Sequence, residues 1–417
     1  MACSVADYVC NRYVQFLFLI EKVYKRCEDS YMVDITERLM KKIQCGLVSL
    51  KYLHLIIAAK VFKYFSIKNN KIVFSSFHGQ YSAHPKEVFL KLQEMKDDNF
   101  FDMVWICQKE SKAIENARKV RPYSIKSIYE LMTAKVWIDN NRKEHWIKKR
   151  KGQLYIQTWH GPICIKMVEK DAEDQLSPFY IAGAKNDSHN IDYFVAESEW
   201  RKKNIKNSFW YDGKFIEGSF CVSEAKTNKN TVREFYKLDK STRIILYAPT
   251  FRKDGRTDCY DINYSYVLNQ LKLQTEKEYV FIVRLHPNLT AKEKMIAYSQ
   301  NVLNGTQYPS VNELIQQADV VISDFSGVLF EGYRNKKFVV QYASDIDEYI
   351  KNERDVYFDF YQLPSPVATT NEELIEAIVH TDQCEYENKR AQFVETIGYY
   401  TESAVEQIVD IIMDTMK

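Results

Sequence analysis

The chain has 417 residues, 46% hydrophobic and 27% charged, a composition that excludes fibrous and intrinsically disordered proteins and suffices for two domains of ordinary size. The 58 lysines and arginines nearly balance the 56 aspartates and glutamates, so the net charge of +2 provides no general basic field and we expect no nucleic-acid partner. Nine cysteines without Cys-x-x-Cys pairing, and the absence of a cleavable signal, favour reduced thiols in a cytoplasm and argue against zinc.

The sequence of residues 1–70 predicts a helical segment. Two apolar segments, Tyr13–Ile20 and Leu47–Ala59, are each followed by lysine or arginine. Both are shorter than the roughly 20 apolar residues that a membrane-spanning helix needs. An aromatic and basic helical pair lying on an anionic membrane surface fits this pattern. The alternative is that both helices pack on the body of the protein through their apolar faces.

From residue 71 onwards, short apolar runs alternate with helical stretches, which predicts a parallel sheet with crossover helices. The helix expected after the first strand is Pro85–Met95. The predicted strands are Lys71–Phe77, Asp102–Cys107, Val136–Asp139, Leu154–Trp159, Tyr193–Ala196 and Lys214–Gly218.

A polar stretch, Ser223–Thr242, then separates this series from a second one. The C-terminal part from Asn371 is predicted to form two amphipathic helices. We therefore predict an α/β protein with a helical segment (1–70) and two Rossmann-like domains (71–222 and 223–417). The strands predicted for the second domain are Arg243–Ala248, Tyr279–Arg284, Val320–Ser323 and Phe338–Tyr342.

The apolar run that begins at Val320 ends at small hydroxyl-bearing residues and a glycine. It is typical of a strand, a tight turn and the first turn of a helix, where backbone N–H groups favour an anion. Ser323, Ser326 and the amide of Gly327 could hold a phosphate there. The alternative is an ordinary structural helix capped by serine.

Other polar motifs also follow predicted strands. His160 precedes Gly161 and Pro162, at a bend where a histidine could act as a general base, although a lone histidine is more often structural. Two α/β halves with such motifs at their strand ends imply a cleft that binds an activated, phosphate-bearing donor. The other candidates for phosphate contacts are Arg284 and His286, Pro249 and Thr250, and Arg252.

In chain order, Thr158–Gly161, Tyr247–Arg252, Arg284–Asn288 and Ser323–Ser326 together resemble the CDP-glycerol glycerophosphotransferase family of teichoic acid and capsule synthesis. The resemblance runs from about residue 71 to 349. It implies a GT-B fold, with two domains facing a central cleft, and a peripheral enzyme on the cytoplasmic face of a bacterial membrane.

The same resemblance implies transfer of a polyol phosphate from a CDP-polyol donor to a lipid-linked saccharide acceptor, with release of CMP. It implies that His160 is the base and His286 a second catalytic residue, and it needs no cofactor. It places these residues on the donor side: Gly161, Pro249, Thr250, Arg284, His286, Ser326, Gly327 and Glu331.

The sequence departs from the family pattern at several positions. Pro162-Ile163 replaces Thr-Pro, Gly327 replaces a second serine, and Glu331 stands where aspartate is usual. The Gly-Tyr-Pro-Arg stretch that supplies a donor-binding arginine appears here as Gly218–Cys221. These departures leave open whether the donor carries glycerol, ribitol or another polyol.

Three further interpretations stay open at this point. Asp345-Ile346-Asp347 could be an Asp-x-Asp metal motif, but Ser344-Asp345 at a helix start is an ordinary cap. A GT-B glycosyltransferase or nucleotide-sugar epimerase could carry similar motifs. A non-catalytic scaffold of a polymer-assembly complex is the alternative outside enzymes.

Overall fold

The computed structural model describes residues 51–95, 100–108, 113–220, 231–250, 252, 262–285, 296–308, 310–346, 348–349 and 355–417. These residues form two parallel β-sheets, of seven and six strands. We call each sheet, with the helices that pack on it, the first and the second unit. The α/β prediction with two sheets is confirmed.

The first sheet has the strand order β3-β2-β1-β4-β5-β6-β7. Its strands are β1 Lys68–Ser75, β2 Asp102–Ile106, β3 Arg118–Val120, β4 Ala134–Asp139, β5 Leu154–Gln157, β6 Tyr193–Ala196 and β7 Lys214–Glu217. The helices along this part of the chain are α1 Leu53–Phe62, α2 Ala83–Met95, α3 Ile125–Thr133, α4 Pro178–Asn190 and α5 Glu199–Ser208, with a 3₁₀ helix at Glu169–Gln175.

The second sheet has the strand order β10-β9-β8-β11-β12-β13. Its strands are β8 Arg243–Tyr247, β9 Tyr279–Val283, β10 Val302–Asn304, β11 Val320–Ser323, β12 Phe338–Tyr342 and β13 Val367–Ala368. The helices are α6 Thr231–Tyr236, α7 Tyr264–Thr275, α8 Val311–Gln317, α9 Val328–Arg334, α10 Asn371–His380, α11 Gln383–Ile397 and α12 Ala404–Met416, with 3₁₀ helices at Gly305–Gln307 and Phe360–Gln362.

The central residues of the longer strands are apolar because helices cover both faces of each sheet. In β1, Val73 packs into one core cluster while Ile72 and Phe74 pack into the cluster on the opposite face. In β8, Ile244 and Ile245 are divided between two clusters in the same way. This period of two places alternate side chains on opposite faces of a strand.

Capping residues account for several helix boundaries. The side chain of Ser198 accepts a hydrogen bond from the first turn of α5, and Asp382 does the same for α11. Helix α11 ends at Gly398, whose φ of +63° lies in the left-handed region that favours glycine. These caps fix where α5 and α11 begin and where α11 ends.

The prediction of two C-terminal helices was wrong, because three helices follow residue 370. The last one, α12, also lies with the first sheet, not with the second as the predicted boundary at 222/223 implied. Ala404, Ile408 and Ile412 are buried in the cluster that contains Phe74. An amphipathic pattern indicates that one face is buried, but it does not indicate against which element.

Within the predicted N-terminal segment, α1 is a helix as expected, and the remaining part, up to residue 50, lies outside the described residues. Leu55 is buried against the first sheet, whereas Leu53, Ile57 and Val61 are exposed. Among the described helices, none has the length and apolar character needed to cross a membrane.

Candidate active site

The bend after β5 presents His160 to solvent. Trp159 has a φ of +51° and Gly161 a φ of +113°. The left-handed region is readily adopted by glycine but costly for tryptophan, so packing must hold this bend. The buried Trp159 ring packs edge-on against Phe209 and stacks on His160, with ring centroids 4.8 Å and 4.5 Å apart. The indole thereby fixes the position of the exposed imidazole.

Hydrogen bonding selects the tautomer of His160. Its Nδ1 lies 3.2 Å from the carbonyl oxygen of Asn140. Because a carbonyl only accepts, Nδ1 carries the proton and Nε2 is the basic nitrogen. The loops around the ring therefore orient His160 as a proton acceptor requires.

The protein also favours the neutral form of His160. Desolvation by the surrounding protein lowers its pKa to about 4, and the like charges of Arg201 and His84 act in the same direction. The ring surface remains open to water, which counteracts part of the desolvation. The ring is therefore neutral at pH 7 and able to accept a proton.

The loop that carries His160 continues into the second unit. Ile163 is buried in the core of the second sheet, and Lys166 forms an antiparallel bridge with Val356. A β-carbon on Gly327 would lie 3.9 Å from the carbonyl oxygen of Ile163. The turn after β11 therefore faces the His160 loop.

Both sheets contain a point where the strand order reverses direction, between β1 and β4 in the first and between β8 and β11 in the second. Ligands of open α/β sheets bind outside the carboxyl ends of the strands at such points. Pro249 and Thr250 follow β8, and the Ser323–Gly327 turn begins at the end of β11. Pro249, Thr250 and the Ser323–Gly327 turn thus meet at the reversal point of the second sheet.

Two of these predicted residues hold the two loops together. The Ser323 hydroxyl is buried and donates to the carbonyl oxygen of Ala248 at 2.6 Å. The backbone N–H of Thr250 donates to the Asp324 carboxylate at 2.8 Å, and Pro249 is buried. Ser323 and Pro249 therefore act on the shape of the site, while Thr250 is partly accessible.

Arg252 was predicted as a cation for the donor, but its guanidinium is buried and paired with protein carboxylates. It forms two hydrogen bonds to Asp345, at 2.8 and 2.9 Å, and an ion pair with Asp324 at 2.9 Å. Nη1 also donates to the carbonyl oxygen of Thr250 at 2.8 Å. These contacts explain Arg252 as a clamp that ties the loop after β8 to the loops after β11 and β12.

Arg284 immediately follows β9. Its Nη1 donates to the carbonyl oxygens of Gly305, at 3.0 Å, and Tyr308, at 2.6 Å. Burial lowers the pKa of the guanidinium from its usual value. His286, predicted as a second catalytic residue, lies outside the described residues.

The start of α9 is the most accessible part of the predicted donor turn. Gly327 is exposed, and the half-buried Ser326 hydroxyl accepts a hydrogen bond from the N–H of Val328 at 3.3 Å. The helix has only seven residues, so its dipole is a weak argument for an anion site. On the inner side of α9, burial raises the pKa of Glu331 to about 7, and the nearby charge of Glu197 adds to this increase.

Sequence reasoning missed a charged group at the boundary between the units. Glu197 follows β6 directly and is buried. Its Oε1 lies 3.5 Å from His84 Nε2, and its Oε2 lies 3.7 Å from Arg334 of α9. The rule that polar residues at strand ends form sites could have identified Glu197. Nothing in the local sequence identifies His84, because its role depends on contacts with distant residues.

The proposed Asp-x-Asp motif does not gain support. Asp345 accepts from Arg252, and Asp347 lies outside the described residues. Within the described ranges, no three histidine, cysteine, aspartate or glutamate side chains are grouped as a metal would require. That the protein needs no metal or cofactor stays a prediction.

The chain is similar to known proteins along most of its length. A family model described as CDP-Glycerol:Poly(glycerophosphate) glycerophosphotransferase matches residues 56–414. A teichoic acid poly(glycerol phosphate) polymerase of Bacillus spizizenii is 28% identical over 351 residues, covering 80% of this chain and 89% of that protein. A teichoic acid glycerol-phosphate transferase of Staphylococcus aureus is 28% identical over 351 residues, covering 78% and 87%.

Among solved structures, the wall teichoic acid polymerase TagF superposes with a TM-score of 0.74 at 23% identity, covering 91% of this chain and 98% of that chain. A variant of the same polymerase soaked with CDPG gives a TM-score of 0.74 at 22% identity over the same shares of the two chains. At this level of identity the similarity establishes the fold, which is GT-B-like.

Proposed function

Because this chain belongs to the CDP-glycerol:poly(glycerophosphate) glycerophosphotransferase family, and is therefore an enzyme of polyol-phosphate transfer in teichoic acid synthesis, we propose that it transfers glycerol phosphate from CDP-glycerol to a lipid-linked acceptor and releases CMP. The TagF polymerase of the same fold has been soaked with CDPG, which supports a CDP-activated donor here.

The observation that carries the proposal is the position of His160. The ring is exposed at the bend after β5, its Nδ1–H is directed to the Asn140 carbonyl, and its loop faces the turn at Gly327. A general base must be neutral at working pH and must present its free nitrogen to the acceptor hydroxyl. The lowered pKa of His160 and its tautomer meet both requirements.

In the proposed reaction, an acceptor hydroxyl loses its proton to Nε2 of His160 while its oxygen attacks the β-phosphorus of the donor. The new bond joins that oxygen to phosphorus, and the bond from phosphorus to the bridging oxygen of CMP breaks. CMP leaves with the electron pair of that bond. Charge on the phosphoryl oxygens would be met by the backbone at Ser326 and Gly327, together with His286.

The remaining residues of the predicted donor site would act mainly through the shape of the cleft. Gly161 permits the close bend beside His160, and Thr250 lies at the mouth of the reversal point of the second sheet. Arg284 would help to fix the end of β9, through its hydrogen bonds to the carbonyl oxygens of Gly305 and Tyr308. Glu331 would line the cleft from α9.

Association with the cytoplasmic face of a membrane is the second part of the proposal. Leu53, Ile57 and Val61 lie one helical turn apart on α1 and are 46%, 53% and 50% exposed. We call them the α1 ridge. Exposed lysines at 51, 60 and 63 flank the ridge. An apolar helix face with basic neighbours fits an anionic lipid surface, where a lipid-linked acceptor would be found.

The test is a transfer assay with CDP-glycerol, CDP-ribitol and a UDP-sugar, in the presence of membranes that supply the lipid-linked acceptor. We expect CMP release with CDP-glycerol, and incorporation of glycerol phosphate into the lipid fraction. Release of UDP from the sugar donor, without CMP release from either polyol donor, would support a glycosyltransferase instead. A preference for CDP-ribitol would change the polyol but leave the reaction class intact.

A further inference from the structure

His84 occupies an unusual position next to the proposed base. It is the second residue of α2, and its ring lies flat against Phe220, with centroids 3.9 Å apart and planes inclined by only 4°. Its side chain is 15% exposed. Stacking of this kind fixes the plane of the ring, so both ring nitrogens have defined directions.

Both nitrogens of His84 face oxygen atoms that accept hydrogen bonds. Nδ1 lies 3.1 Å from the carbonyl oxygen of Trp159, and Nε2 lies 3.5 Å from Oε1 of Glu197. A carbonyl cannot donate, so Nδ1 must carry a proton. The Glu197 carboxylate accepts a hydrogen bond from the N–H of Phe220 at 3.1 Å and lies 3.7 Å from Arg334.

The geometry calls for a hydrogen-bond donor at Nε2 of His84 as well. Oε1 of Glu197 is buried and makes no hydrogen bond in the described part of the chain, although it points towards His84. A buried carboxylate oxygen without a hydrogen-bond donor is costly, and a second proton on the imidazole would supply that donor. Burial, together with the negative charge of Glu197, raises the pKa of Glu87, three residues further along α2, to about 8 and that of Glu331 on α9 to about 7.

We propose that His84 is a positioning residue for the transfer reaction: as a doubly protonated imidazolium between Glu197 and the Trp159 carbonyl, it holds the bend that presents His160 and keeps the neighbouring base in its neutral form. This inference rests on the proposed role of His160 as the base. His84 would not touch the substrate. It would act through the backbone of Trp159, whose positive φ needs external support, and through its charge.

The contacts also connect the base with the facing unit. Glu197 binds His84 on one side and Arg334 on the other, and Arg334 is the last residue of α9, whose first turn contains the exposed Gly327 region. A change in the position of α9 would thus change the distance between Arg334 and Glu197.

The decisive variant is His84→Asn, because an asparagine amide can still donate to the Trp159 carbonyl but carries no charge. Losing a nearby positive charge stabilises the protonated form of His160, so its pKa should rise by roughly half a unit to one unit. Since the neutral ring is the active form, the acid limb of the kcat/KM profile should move to higher pH by the same amount. Glu197→Gln should shift the profile in the same direction, because it removes the counter-charge that keeps His84 protonated.

Two measurements separate this proposal from a purely structural role and from the proposed function itself. NMR titration of the Cε1–H signal of His160, assigned with His160→Ala, reports its pKa in the free protein without any substrate. The pH profile of CMP release reports it during turnover. His380→Asn is the control, because His380 is exposed on α10, and it should change neither value.

An unchanged His160 pKa in folded His84→Asn and Glu197→Gln variants would overturn the proposal, even if their activity fell. If the wild-type protein released no CMP from any CDP-polyol, the proposed function would fail, while the NMR titration would still decide the role of His84. His84→Ala, which also removes the hydrogen bond to Trp159, should lose more activity than His84→Asn. Equal activity in the two variants would remove the positioning part of the proposal.

Discussion

Replacing Arg252 with alanine tests whether this residue is a structural clamp or a donor ligand. The guanidinium is 2% exposed and is paired with Asp324 and Asp345, which are themselves almost completely buried. It also packs against the rings of Phe325 and Tyr349, at 5.4 and 4.9 Å from their centroids. Removing one partner of a buried ion pair leaves uncompensated charge, which typically costs about 3–5 kcal/mol.

The matched control is Arg243→Ala. Arg243 also pairs with an aspartate of the second unit, Asp319, but its side chain is 46% exposed. Solvent screens such a pair, so we expect a loss of no more than about 1 kcal/mol. With a urea m-value of about 2–3 kcal/mol/M, Arg252→Ala should lower the midpoint of unfolding by roughly 1–2 M relative to this control.

The distribution of tryptophan makes the assay selective. All six tryptophans precede residue 211, and most of them report on the first unit, although Trp200 packs on Tyr357 and Phe358 of the second unit. Far-ultraviolet circular dichroism reports on both units. Arg252→Ala should shift the circular dichroism transition more than the tryptophan fluorescence transition. The clamp interpretation is refuted if both variants unfold at the same urea concentration while Arg252→Ala alone loses CMP binding. That result would return Arg252 to the donor site.

Three further predictions concern catalysis, membrane association and pH. His160→Ala should reduce transfer by about 10²–10⁴ while CMP affinity changes little, and near-normal turnover in a folded variant would exclude His160 as the base. Replacing the α1 ridge (Leu53, Ile57 and Val61) with serine should weaken co-sedimentation with anionic liposomes, whereas serine at the exposed Leu273 of α7 should not; equal binding by both would place the membrane contact elsewhere. Burial raises the pKa of Glu331 to about 7, so its folded form prefers the proton and native stability should fall as pH rises from about 4.5 through 7. Glu331→Gln should therefore raise the melting temperature more at pH 8.5 than at pH 5.5, and a pH-independent effect would contradict the shifted pKa.

Local patterns in the sequence were sufficient to predict most of the sheets. The strands Tyr193–Ala196, Val320–Ser323 and Phe338–Tyr342 have the predicted boundaries, because apolar runs bounded by polar residues are unambiguous in a sheet covered on both faces. The edge strands β3, β10 and β13 were not predicted, since each has only two or three residues. Such short strands owe their conformation to the neighbouring strand and carry no periodic signal of their own.

For the candidate site, the sequence predicts which polar residues lie near it but not the direction of their side chains. Polar residues that follow a strand can be found from sequence, and this rule identified His160, Thr250, Arg252, Ser323 and Gly327. Whether each side chain faces the cleft or the protein interior depends on partners far away in the chain. Arg252 turns inward because Asp345, 93 residues later, accepts two of its hydrogen bonds.

The same physical argument separates the residues that shape the site from those that can react. Ser323 and Arg284 are bound to backbone carbonyls, and Arg252 is bound to carboxylates as well, so a ligand would have to replace existing bonds to reach them. His160 and Gly327 instead lie at the surface on facing loops of the two units. An imidazole whose Nδ1 is bound and whose Nε2 remains basic is suited to take a proton from an incoming hydroxyl. The reaction is therefore expected where the His160 loop of the first unit faces the Gly327 turn of the second unit. The buried residues on either side set the distance between these two loops.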